Sequence, residues 1–212
     1  MMNYKEALRK FSKYYKDRYS VEFPTIFSLC NFRNKSVLEI GPAEGYFVKE
    51  VSKLTNKITT SDASVVLHFQ DKSFDIVFSR WIAQNINDLK KAIKEMCRVA
   101  KECIIIVLPS EKGNETKMLE IKFPDKFKQR KERIENIKKW ISECGFKVKE
   151  KRKLLKFLFP DVDEAIDVFS ALGFKNEITE KEKLKLKKFL LSKKKKDGIH
   201  LTQGASFICG YK

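Results

Sequence analysis

Histidine is nearly missing from this chain: His68 and His200 are the only two. Cysteine occurs five times, at Cys30, Cys97, Cys103, Cys144 and Cys209, and never as C-x-x-C. Neither histidine has a cysteine at ligand spacing, so no metal site is expected. An odd, scattered set of thiols points to reduced, mostly buried cysteines in a cytoplasmic protein, not to a disulfide framework. Long hydrophobic runs are lacking too. The longest, Cys103 to Leu108, is far too short to span a bilayer. Tyr4 to Tyr19 is charged and aromatic, unlike the apolar segment of a secretory signal.

What is present is core material and positive charge. The chain has 212 residues, 42% of them hydrophobic, with 17 Phe. That is enough for one domain with a sizeable core. The formal net charge is +17. Residues 1–109 hold 18 basic and 12 acidic side chains, which leaves 27 and 16 for residues 110–212. Such an excess suits RNA, an anionic membrane or an acidic carrier protein. A Lys-rich surface without any such partner accounts for it equally, because Lys far outnumbers Arg and Arg is the residue suited to bidentate phosphate recognition.

The densest information lies in Val37-Leu38-Glu39-Ile40-Gly41-Pro42-Ala43-Glu44-Gly45-Tyr46-Phe47. A short apolar run ends near an acid, a Gly-containing turn follows, and Phe47, Val51 and Leu54 then recur at helical spacing. This pattern predicts a buried strand, a tight turn and a helix start, the arrangement that holds a nucleotide cofactor at the carboxyl edge of a parallel sheet. The turn is not G-x-G-x-x-G, and Pro42 removes a backbone N–H that a pyrophosphate would use. Glu39 would repel a phosphate and attract a cation. S-adenosylmethionine has the matching chemistry: a ribose, an adenine, an ammonium and a sulfonium, with no phosphate.

These residues resemble motif I of the class I S-adenosylmethionine-dependent methyltransferases. Further stretches match that family in chain order. Asp62 follows the strand-like Lys57 to Ser61, Phe69 to Val77 resembles the lead into the fourth strand, Leu89 to Ala100 resembles the helix ending in E-x-x-R-V-L, and Cys103 to Pro109 the fifth strand. The resemblance covers most of the chain and is nearest to the type 11 group. It implies an α/β fold: a Rossmann-like sheet with helices on both faces. Only twelve residues separate Asp62 from Asp75, too few for the family's usual helix and third strand. That strand lies at a sheet edge, so its absence is expected to leave the core intact.

Residues 3–32 are expected to be helical, with Leu8, Phe11, Tyr15 and Tyr19 on one stripe, within a helical lid over residues 1–32. The pattern also predicts a first helix over Glu44–Leu54, a fourth strand over Ile76–Ser79, and helices around Ile86–Val99 and Ile134–Ile141. A sixth strand is expected to close at Phe157. Residues 158–198 read as a helical cap before the last strand, with one helix from Asp163 to Leu172 and a Lys-rich one from Glu180 to Lys196. Ile199–Thr202, a Gln203-Gly204 turn and Ala205–Tyr211 then read as closing strands. The whole, 1–212, is expected to be one methyltransferase domain.

The resemblance assigns roles residue by residue. Glu39 would hold the methionine ammonium, Gly41, Ala43 and Gly45 would let the backbone approach the cofactor, and Asp62 would take the ribose hydroxyls, or contact adenine if Asp62-Ala63 imitates the acid after the missing strand. Ser79 and Arg80 would lie beside the methionine moiety. Tyr15, Trp81 and His68 are candidates for the substrate pocket, each with a structural alternative: core packing for Tyr15 and Trp81, an exposed imidazole for His68. Methyl transfer from a sulfonium needs alignment and dryness more than a fixed catalytic residue, and none is assigned. The expected acceptor is a small molecule or a carrier-bound acyl group. There is no N-P-P-Y after the fourth strand and Ser110, not Cys, follows Pro109, so base-modifying chemistry is disfavoured. RNA, through the Lys-rich C-terminal region, and a non-catalytic cofactor-binding role remain the alternatives.

Overall fold

A computed structural model describes the chain except residues 1, 43–44, 63–65, 84–85, 123 and 174–178. Helix α1 (Tyr4–Tyr14) leads through a π-helical turn (Arg18–Glu22) into α2 (Phe23–Phe27). Strand β1 (Val37–Ile40), α3 (Tyr46–Val51), β2 (Ile58–Ser61), β3 (Phe74–Arg80), α4 (Leu89–Val99) and β4 (Ala100–Pro109) follow. Then come α5 (Thr116–Lys122), α6 (Pro124–Glu143), β5 (Lys147–Phe159), α7 (Val162–Gly173), α8 (Glu180–Leu191), β6 (Lys194–Lys195) and β7 (Gly198–Tyr211). The strands form one sheet in the order β2-β1-β3-β4-β7-β5, and the two-residue β6 pairs with β7. Strands β1 to β4 are parallel and β7 runs antiparallel to β4.

Among the described residues no strand lies between β2 and β3 in the chain, and β2 is the sheet's edge. The missing third strand is therefore a feature of this fold, and Asp62 does follow the second strand. The chain divides into two compact units. One comprises 23–109, 132–152 and 205–212, the other 1–22, 110–131 and 153–204.

In the first of these, strand alternation sends side chains to two faces. Leu38, Ile40, Val77, Ile104 and Ile106 pack with Ile93 and Met96 of α4 and with Ile134, Ile137 and Ile141 of α6. Helix α4 can do this because its apolar residues recur every three to four positions, and Asp88 caps its start by accepting from the Lys91 N–H. On the opposite face Phe47 of α3 stacks on Phe78 at 3.8 Å and meets Phe23 and Phe27 of α2. Helices thus cover both faces.

The other unit is aromatic. Phe11 of α1 packs on Phe157 and Phe169, and Tyr14 on Phe159. The Tyr14 hydroxyl donates to Glu164 at 2.6 Å, and with burial this pushes the phenol up to about 12. The expected stripe stops short: α1 ends at Tyr14, while Leu8 and Tyr19 are exposed. Tyr15 turns out of the helix and bridges Phe157 instead.

Two boundaries in this unit differ from the sequence pattern. Helix α8 stops at Leu191, not Lys196; its last buried positions are Leu186 and Leu190, and Ser192 closes it by donating to the Phe189 carbonyl. Lys194 and Lys195 pair with Ile199 and Gly198 in a hairpin, which spares the helix a final turn of like charges. Gln203-Gly204 is not a turn, since β7 runs unbroken through it. Gly204 is required there because the 110–113 segment lies on the strand: Gly204 N donates to Lys112 O, Ser110 N donates to Gly204 O, and a Cβ would collide with the Lys112 carbonyl. Helix α5 and the first half of α6 were not visible in the sequence pattern.

Candidate functional site

Parallel register assembles the site. Ile40 pairs with Ser61 on one side and with Ser79 on the other. The next residues, Gly41, Asp62 and Arg80, therefore leave the same edge of the sheet together. Gly41 N donates to Ser61 O at 2.8 Å, so the turn stays tied to β2. Gly41 has φ +69°, which favours glycine, and a Cβ there would press on the tip of the Ile82 side chain. Gly45 has φ +70°, starts α3 and has open space where a Cβ would sit. Ala43 lies outside the described residues.

Glu39 is the most unusual group. It is 1% exposed, and its Oε2 has no hydrogen-bond partner. Burial pushes its carboxyl up to about 7, opposed in part by the charge of Arg80. A buried carboxylate oxygen without a donor is costly unless something supplies one. Asp62 is exposed, and Ser79 is buried at the end of β3. Arg80 is half-buried with its guanidinium 5.7 Å from the Phe23 ring centroid. Trp81 has φ +58°, rare for a bulky residue, and is held by its N–H donating to Val107 O at 2.8 Å. That turn directs the chain so that Ile82 covers Gly41.

The remaining candidates separate. His68 is exposed, in the segment leading to β3. Tyr15 belongs to the other unit and stacks on Phe157 at 4.9 Å, within that unit's aromatic core. The residues that sequence reasoning passed over are supports. Arg98 donates to the carbonyls of Leu67 and Phe69 and to Asp71, while Glu95 accepts from the Leu67 N–H. This clasp is the physical content of the E-x-x-R spacing on α4. Asp75 similarly accepts from the backbone and hydroxyl of Ser36 at 2.8 Å, fixing the start of β3 to the approach of β1. All five cysteines are free, and three are buried. Among the described residues no cluster could hold a metal ion, and no helix is long and apolar enough to cross a membrane.

The fold is one shared with solved methyltransferases. Residues 46–107 match the family model described as a methyltransferase domain, the type 11 group that the sequence resembles. A protein of Bacillus halodurans C-125, described as a methyltransferase, shares the fold at a TM-score of 0.59 with 18% identity, over 90% of this chain and 97% of that one. One from an antibiotic biosynthesis pathway of Anabaena variabilis ATCC 29413 gives 0.57 and 16%, over 89% and 96%. Phosphoethanolamine N-methyltransferase 2 of Haemonchus contortus, solved with phosphomonomethylethanolamine and S-adenosylhomocysteine, gives 0.53 and 14%, over 100% of this chain and 60% of that one. No curated protein sequence matches the chain significantly.

Proposed function

We propose that this chain is an S-adenosylmethionine-dependent methyltransferase acting on a small molecule or a carrier-bound acyl group. The observation that carries the reading is Glu39, a buried carboxylate with an unpartnered oxygen near the end of β1. An ammonium placed there would satisfy Oε2 and draw the carboxyl into its charged form. The other residues fit the same cofactor. Asp62 has an exposed carboxylate for the ribose hydroxyls, Gly45 leaves open space in the cradle, and Pro42 withholds the N–H that a phosphate-bearing cofactor would use. A matched methyltransferase domain and a structural neighbour holding S-adenosylhomocysteine support the assignment.

When bound, the cofactor would supply a sulfonium methyl group for in-line displacement by a nucleophile. The chain's own contribution is positioning. Glu39 and Asp62 would fix the two ends of the cofactor, and Arg80 would offset a carboxylate charge beside them. Trp81, locked in its turn, would present a rigid wall to the acceptor. No general base is assigned, because an anionic nucleophile requires none.

Calorimetry with S-adenosylmethionine and S-adenosylhomocysteine tests the cofactor. Both are expected to bind, and Glu39→Ala and Asp62→Ala are each expected to weaken binding. A folded sample that binds neither sinks the proposal. Tritiated cofactor added to fractionated cell extract tests the acceptor: label in small molecules or on a carrier supports it, and label in RNA overturns it.

A further inference from the structure

The Lys-rich C-terminal region looks in the sequence like a solvated charge run. The structure gives part of it a shape. A cavity of about 330 Å³ lies within the unit that holds α7 and α8. Its walls carry Lys156 from β5, Lys193, Lys194 and Lys195 from the hairpin, and His200 from β7. Asn114, Ser192 and Thr202 add neutral polar groups, and buried Leu201 adds an apolar surface. Positive side chains from well-separated stretches of sequence thus converge on one concavity, and no carboxylate lines it.

The charge is neutralised only in part, by the Asp197 carboxylate, which feels the charge of Lys195. Among the described residues none of the four lysines forms a salt bridge. Asp197, the acid at the hairpin tip, is taken by His200 Nε2 at 2.7 Å. The backbone that carries these residues is fixed. Asn114 N donates to Thr202 Oγ1 at 3.0 Å, Thr202 N donates to Asn114 Oδ1 at 2.7 Å, and His200 N donates to Lys193 O at 3.0 Å. On the β5 side, Lys156 N donates to Asp17 at 2.8 Å and Lys156 O accepts from Lys16 N. The lysines therefore cannot separate by moving their backbone. Their long side chains leave that backbone around one concavity, and a multivalent anion there would offset several positive charges at once.

The geometry points to a binding site for a phosphorylated small molecule in this cavity, separate from the residues assigned to the cofactor. Lysine binds phosphate as a point charge and needs no bidentate geometry. The volume falls at the lower end of small-molecule sites, about 300–1,000 Å³. Among the lining residues the one ring is the His200 imidazole, tied to Asp197, so the cavity lacks the run of aromatic platforms that a single-stranded nucleic-acid site offers. The inference does not rest on the methyl-transfer reading.

The test uses the full chain with inorganic tripolyphosphate as the probe and a single-stranded RNA oligonucleotide as the comparator. Calorimetry is expected to give one tripolyphosphate per chain. Lys194→Ala/Lys195→Ala is expected to weaken it about tenfold or more. Lys183→Ala/Lys187→Ala removes the same charge from exposed positions on α8 and is expected to cost less than about threefold, as a screened surface effect. Equal losses in the two variants would mean diffuse surface charge and overturn the site, as would no binding at all. RNA bound more tightly than tripolyphosphate, with its loss spread over both variants, would overturn it in favour of a polymer surface. S-adenosylhomocysteine binding by the same variants is expected to be unchanged, so failure here is distinguishable from failure of the cofactor assignment.

Discussion

Glu39 and Arg80 stand on adjacent parallel strands with side chains on the same face of the sheet, yet Glu39 Oε2 is left without a hydrogen bond. The guanidinium's charge acts on the carboxylate and only partly offsets its burial. This leaves a group whose protonation is coupled both to folding and to ligand binding.

The coupling has a definite sign. Glu39's carboxyl is raised from 4.5 to about 7 in the folded chain, so between those values the folded state holds more protons than the unfolded one. Stability from this group is fully present below pH 4.5 and is lost as pH rises through 7. The upper bound is about 3 kcal/mol, at 1.36 kcal/mol per unit. Denaturant melts of ligand-free protein from pH 5 to 8 are expected to show the decline, and Glu39→Gln is expected to flatten it. Cofactor binding below pH 7 is expected to release a proton, seen as a dependence of calorimetric heat on buffer ionisation enthalpy.

Gly41 and Gly45 share nearly the same positive φ but differ in surroundings. Each pays about 1–2 kcal/mol for an added Cβ in the left-handed region. Gly41→Ala must also displace Ile82, whereas Gly45→Ala meets nothing within 4 Å. Thermal melts are expected to show Gly41→Ala as clearly the worse of the two. Equal losses would mean that Ile82 yields freely.

Arg98→Ala removes the clasp on residues 67–71. Asp71 is 74% exposed and contributes little, so the two hydrogen bonds to Glu95 and those to the carbonyls of Leu67 and Phe69 dominate. The expected loss is about 1–3 kcal/mol. Hydrogen exchange is expected to quicken at Leu67 and Phe69 more than in β3. A uniform change across the sheet would argue against a local clasp.

Arg130 and Glu115 form a buried pair at 2.7 Å, with Arg130 also donating to Ser110 O. Burial raises the Glu115 carboxyl even with the guanidinium beside it. Arg130→Ala strands that carboxylate and is expected to cost about 3–5 kcal/mol. The loss is expected to shrink as pH falls through the range where the folded Glu115 carboxyl, raised above its ordinary value, takes up its proton and no longer needs the guanidinium. Arg130→Met with Glu115→Leu is expected to recover most of it.

Much of this was legible in the sequence. The β1 turn, the period of α4 and the short Asp62–Asp75 connection gave the sheet and its missing edge strand, because strand burial and helix period leave direct marks on residue order. Lys193–Lys196 gave no such mark: like charges carry no period, and only Leu186 and Leu190 show where α8 stops. Gly204 was misleading because a turn glycine and a close-approach glycine are the same letter. The left-handed Trp81 was invisible, since its N–H is held by the Val107 carbonyl of β4, a partner that lies far along the chain and leaves no mark on the residues around Trp81.

The pairing of β4 with β7 joins Cys103 to Tyr211 and Pro109 to Ala205. During synthesis, therefore, Cys103 to Leu108 must wait without its neighbour until everything between Pro109 and Ala205 has emerged from the ribosome. In that interval a strand apolar from Cys103 to Leu108 has one bare side, the kind of surface that invites pairing with another nascent chain. Termination of synthesis anywhere in α7 or α8 would release a chain with that side still open.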